Sequence, residues 1–119
     1  MKWEVEVTDE FLDWWSESSQ SIQNDITSVV GLLEMRGPQL DHPHSSKING
    51  SKHSHMRELR VQSGGNPIRI FYAFNPVRRA LLLIGGDKTG NDRFYDEFIS
   101  IADRLYDEHL DELRKEGLI

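Results

Sequence analysis

Cysteine is missing altogether from these 119 residues. That excludes disulfides, cysteine nucleophiles and thiolate zinc sites, and leaves packing alone to hold the fold. No apolar run reaches the roughly 18 residues of a membrane-spanning helix, so no membrane role is expected. The opening Met1-Lys2-Trp3-Glu4-Val5-Glu6 is acidic and alternating, unlike a secretory signal, and a cytoplasmic location is the expectation. Internal repeats and low-complexity tracts are lacking too. What is present is an ordinary core-forming composition, 37% hydrophobic and 29% charged. At this length, residues 1–119 are expected to form one domain.

An excess of positive charge is also lacking, since the formal net charge is −6. The charge is unevenly placed. Residues 1–36 carry two basic and eight acidic side chains, residues 37–93 nine and four, and residues 94–119 three and eight, giving −6, +5 and −5. An anion responds to the field at a cleft rather than to the total, so the middle segment is a candidate anion-binding surface. His42, His44, His53 and His55, four of the five histidines, fall in the same segment.

Trp3, Val5 and Val7 alternate with Glu4 and Glu6, the period of a half-buried strand. Thr8 is a plausible N-cap for a helix over about residues 9–17, with Asp9 and Glu10 where the dipole favours acid. Ile22, Ile26, Val29 and Leu33 give one apolar face to a helix over about Ser21 to Arg36, which Gly37-Pro38 ends. Residues 38–54 read as a polar loop. Met56 to Gln62 and Ile68 to Phe74 alternate as strands around a Gly64-Gly65-Asn66-Pro67 turn. Ala80 to Ile84 is apolar throughout, as in a strand covered on both faces. A last helix is predicted from Asn91 or Asp92 to about Lys115. The order β-α-α-β-β-β-α, with the last three strands an antiparallel meander covered by helices, predicts an α+β sandwich.

Arg60 and Arg69 fall on neighbouring strands and point away from the residues assigned to the core. Two guanidiniums on one sheet face, with Arg57 nearby and no carboxylate visible opposite Arg69, form a fork for phosphate. The bland reading is a pair of solvated edge charges balanced by Glu58. Gly85-Gly86-Asp87-Lys88-Thr89-Gly90-Asn91-Asp92 lies between the last strand and the last helix. It lacks the spacing of a phosphate-binding P-loop, and it reads also as a plain β-to-α connection. It places Lys88 and Tyr95 where both can face the Arg60/Arg69 surface. His42-x-His44 and His53-x-His55 have local metal-ligand spacing, although loop histidines are usually solvated. His55 or His53 is the more credible proton-transfer group. Trp3, Trp14 and Trp15 lie in the acidic N-terminal third and read as structural.

Lys47 in Lys47-Ile48-Asn49-Gly50, then Met56-Arg57-Glu58-Leu59-Arg60-Val61, then Ile68-Arg69-Ile70-Phe71-Tyr72-Ala73-Phe74, then an apolar strand ending Gly85-Gly86-Asp87-Lys88-Thr89, resembles the RelE/HigB superfamily of toxins. The likeness extends through Ala102-Asp103 and Tyr106-Asp107, and is strongest to the HigB-like, phage-derived branch. It implies a microbial RNase fold, and a toxin that cleaves mRNA, often in the ribosomal A site. It also implies a helix-turn-helix antitoxin that neutralises the toxin, with promoter DNA bound only through the pair. By motif, Arg60 and Arg69 match positions at the scissile phosphate, Lys88 a basic position at the strand end, and Tyr95 the terminal-helix tyrosine. Lys47, Lys52, His55 and Arg57 would then contact RNA. The chain departs from the pattern at Thr89, where relatives often carry another catalytic arginine.

Such chemistry requires no metal or cofactor, because RNA supplies its own 2′-OH nucleophile. Arg60 and Arg69 would stabilise the phosphorane-like transition state and Lys88 would clamp the phosphate or act as acid. Tyr95, with a pKa lowered by surrounding cations, or His55 would be the base. A catalytically decayed toxin fold acting as a regulatory partner is the alternative reading, motivated by Thr89. A histidine-based metal hydrolase is a third. The acidic last helix reads as a solubility face or as a dock for a basic partner.

Overall fold

Side chains on both faces of β4 are apolar, and this sets the architecture. The computed structural model describes residues 2–119. In chain order the elements are β1 (Val5–Val7), α1 (Asp9–Glu17), α2 (Gln20–Arg36), a 3-10 turn at Gly37–Gln39, β2 (Ser45–Lys47), β3 (Arg57–Ser63), β4 (Asn66–Phe74), β5 (Ala80–Asp87) and α3 (Phe94–Lys115). The sheet runs β1-β5-β4-β3-β2. β1 joins β5 in parallel, and every other pairing is antiparallel. The α+β order expected from the sequence stands, with β2 added as a short edge strand inside the segment read as loop. Among the described residues no helix is long and apolar enough to cross a membrane.

Leu59, Val61, Ile68, Ile70 and Tyr72 face α1 and α2, packing against Phe11, Ile26 and Leu33. Phe71, Ala73, Leu81 and Leu83 face the other way, under Phe94, Ala102, Leu105 and Tyr106 of α3. Helices therefore cover both faces, which β4's alternation of two apolar sets requires. The caps fall where local chemistry puts them. Thr8 Oγ1 accepts the Phe11 N–H and itself donates to the Leu83 carbonyl, fixing α1 to β5. Ser19 caps α2 by accepting from Ile22 N–H.

Two local features position the site. Gly64 and Gly65 have φ of +58° and +83°, the conformation of a two-residue hairpin turn. Such a turn pairs Ser63 with Asn66, and hence Arg60 directly with Arg69. Gly86 lies opposite Arg69 on β5. A Cβ there would stand 2.7 Å from the Phe98 ring, so the missing side chain lets the N-terminal part of α3 lie flat on the sheet.

Candidate active site

Alternation along β3 and β4 brings Glu58, Arg60 and Arg69 onto the α3 face, at the end of the sheet where α3 begins. Arg60 is half-buried and its side chain has no hydrogen-bond or ion-pair partner among the described residues. Arg69 beside it is only 4% exposed. Its Nε stands 3.6 Å from Glu58 Oε1, and its Nη1 donates to the Ile68 carbonyl at 3.0 Å. That Nε has no partner within hydrogen-bond range, an unusual state for a buried donor.

Glu58 is the hub. It is 6% exposed and accepts from Tyr95 Oη at 2.7 Å on Oε1 and from Ser46 Oγ at 2.9 Å on Oε2. Tyr95 lies in the first turn of α3, and Lys88 Nζ sits 5.4 Å from the centre of its ring. Arg60, Arg69, Lys88 and Tyr95, expected to share a surface, do so. Three cations thus lie on the side of the sheet that carries one carboxylate and one phenol.

Three expectations are corrected. First, a carboxylate does face Arg69. Glu58 pairs with Phe71, so it is diagonal to Arg69 across the hairpin. Second, the Tyr95 phenol is pushed above the ordinary tyrosine value, not below it. Burial contributes most and the Glu58 hydrogen bond and charge add to it, outweighing Arg69. Tyr95 is therefore a proton donor near neutral pH and a poor base. Third, Arg57 is not near the pair. It faces the α2 side of the sheet, where its Nε donates to Ser45 Oγ at 3.0 Å, and Asp41 lies 3.7 Å from its Nη2.

The other RNA-contact candidates lie elsewhere. Lys47 is exposed on the edge strand, cross-strand from Arg57. Lys52 pairs with Asp107, and His53 Nε2 meets the same carboxylate at 2.8 Å. His55 Nε2 meets Tyr106 Oη at 3.0 Å, and burial with the neighbouring His53 charge holds its pKa below the usual histidine value. Ser51 adds a bond to Asp103, so the whole loop is clasped to the middle of α3. Tyr106 is eleven residues beyond Tyr95 on the helix, about 16 Å at 1.5 Å per residue. Lys52 and His55 are therefore remote from the arginine pair. No group of three or more His, Asp or Glu side chains comes together as a metal site among the described residues. Sequence reasoning missed Glu58 and Ser46 as site members. The two-residue glycine turn was the signal, because it sets the register that makes Glu58 diagonal to Arg69.

Comparisons with known proteins bear on the family and the fold. Residues 13–107 match the family described as phage-derived protein Gp49-like (DUF891). HigB3 of Mycobacterium tuberculosis strain H37Rv, named as a toxin, is 45% identical over 92 residues, covering 76% of this chain and 79% of that protein. HigB2 of the same strain, also named as a toxin, is 40% identical over 87 residues, covering 71% of this chain and 43% of that protein. The free-state structure of an E. coli RelE toxin with two arginines changed to alanine superposes with a TM-score of 0.57 at 9% identity. It covers 79% of this chain and 92% of that one, a likeness of fold.

Proposed function

Because the chain belongs to the phage-derived Gp49-like family and to the kin of the HigB toxins, we propose that it is the toxin of a toxin–antitoxin pair and acts as an endoribonuclease on mRNA. One observation carries the chemistry: Arg60, half-buried and without a partner among the described residues, stands directly beside a buried Arg69–Glu58–Tyr95 cluster. A scissile phosphate docks on Arg60 and Lys88. The Glu58 carboxylate takes the 2′-OH proton as the oxygen attacks the adjacent phosphorus. The bond to the 5′-oxygen breaks, and that oxygen receives the Tyr95 phenolic proton. The Glu58–Tyr95 hydrogen bond then returns the first proton to the phenol, restoring both groups. The products are a 2′,3′-cyclic phosphate and a 5′-OH. Arg69 lies behind Glu58 on the same sheet face, and its role is to hold that carboxylate in place. Action on ribosome-bound message and neutralisation by a helix-turn-helix antitoxin are parts of the same proposal.

Expression without antitoxin should arrest growth, and mapped transcript ends should carry 5′-OH and cyclic phosphate. Arg60→Ala should lower the cleavage rate by about 10²–10³. Wild-type cleavage by that variant would sink the assignment. The alternative, a decayed toxin fold serving as a regulatory partner, draws on Thr89. Its N–H and hydroxyl both fold back onto Asp87 Oδ1, at 2.9 and 2.6 Å, rather than facing the cluster. Harmless expression of well-folded wild-type protein would favour it.

A further inference from the structure

The two acidic ends of the chain, separate in sequence, meet beside β1. Glu6, Asp9 and Glu10 line one side of a cleft of about 260 Å³, and Glu108 and Glu112 of α3 with Glu116 just beyond its end line the other. Arg79 takes Glu4 and Glu6, and Arg104 takes Glu108. Asp9, Glu10, Glu112 and Glu116 have no cationic partner among the described residues.

The opposite face of β1 is apolar. Val5 and Val7, with Leu12 and Trp15 of α1 and Val30 of α2, line an open groove of about 370 Å³. Val7 is 44% exposed and Leu12 49%. Between groove and cleft runs a bare strand edge. β1 ends the sheet, and Glu4, Glu6 and Thr8 carry its bonds to β5, shown at either end by Ala80 N–H to the Glu4 carbonyl and Thr8 N–H to the Leu82 carbonyl. Parallel pairing turns the N–H and C=O groups of the alternate residues, Val5 and Val7, outward. Among the described residues, only at Trp3 is the outward N–H taken, by the Glu34 carbonyl at 2.8 Å.

We propose that this edge receives a β-strand from a partner protein whose side chains alternate apolar and basic. Main-chain bonds to Val5 and Val7 extend the sheet. Apolar side chains on one face of the incoming strand enter the groove. The lysines or arginines between them point into the acidic cleft, as the two-residue period of a strand requires. Glu112 lies seventeen residues from Tyr95 along α3, about 25 Å, so the surface is distinct from the proposed cleavage site.

A labelled peptide of alternating valine and lysine is the probe, read by fluorescence anisotropy. It should bind, protect the Val5 and Val7 amides from hydrogen exchange, and bind Arg60→Ala equally well. Glu112→Lys combined with Glu116→Lys should weaken it about tenfold, equivalent to about 1.4 kcal/mol. Leu12→Glu, at an exposed position and checked for folding by circular dichroism, should weaken it comparably. Equal binding by a peptide of the same composition with valines and lysines in two blocks overturns the proposal. So does undiminished binding after every peptide amide is N-methylated. Self-association of the chain through this face, lost in Leu12→Glu, would assign the edge to a second copy and overturn it as well.

Discussion

Arg60 and Arg69 are cross-strand neighbours with the same side chain and opposite circumstances. Arg69 is buried against a buried carboxylate, whereas Arg60 is half-buried and without a partner among the described residues. Removing Arg69 strands Glu58 in a low-dielectric site, and Arg69→Ala should cost about 3 kcal/mol in urea unfolding. Arg60→Ala should stay within about 0.5 kcal/mol of wild type. Equal stability losses would refute the division of labour between them. His55 makes a second residue-scale prediction. Its folded pKa lies below the unfolded value, so its stabilising contribution is complete above about pH 6.5 and is lost as pH falls through the folded pKa. The urea midpoint should decline over that range, and more shallowly in His55→Gln. Parallel slopes would argue against a structural clasp. The arginine pair was legible from strand alternation alone. Glu58's place was not, because the turn was read over Gly64 to Pro67, whereas Pro67 already belongs to β4. With the turn confined to the two glycines, residues pair so that Glu58 falls within reach of Arg69.

At the scale of elements, caps and periodicity located α1 and α2 almost to the residue. β2 escaped because Ser45-Ser46-Lys47 has no apolar alternation, and only pairing with Leu59, Glu58 and Arg57 makes it a strand. α3 starts at Phe94, later than expected, since Asn91 Oδ1 accepts the Arg93 N–H and shapes a turn before the helix. Its seat on the sheet gives the element-scale prediction. Gly86→Ala would drive a methyl into the stacked Phe94 and Phe98 rings, whose centroids are 4.3 Å apart. It should cost about 1–3 kcal/mol in thermal or urea unfolding. A neutral effect would mean that α3 is not held against this strand.

Across the whole molecule, charge is segregated. Cations gather at the α3-face cluster, and unpaired carboxylates at the far end of the same helix. If Arg60, Lys88 and at most one further cation meet phosphates, binding of a single-stranded RNA should follow salt with a log–log slope of about −2. A slope near −4 would bring Lys47, Lys52 and Arg57 back as direct RNA contacts, against their placement here.

The bare spot at Gly86 has a genetic consequence. If the chain is the growth-arresting ribonuclease proposed above, survivors of its expression record every position on which its action depends. Arg60 substitutions should yield folded, inert survivors. A side chain larger than alanine at Gly86 would meet the phenylalanines still harder, so bulky missense changes at its codon should inactivate through the fold instead. Substitution there should widen the mutational target well beyond the groups that handle protons, without touching Tyr95 or Glu58.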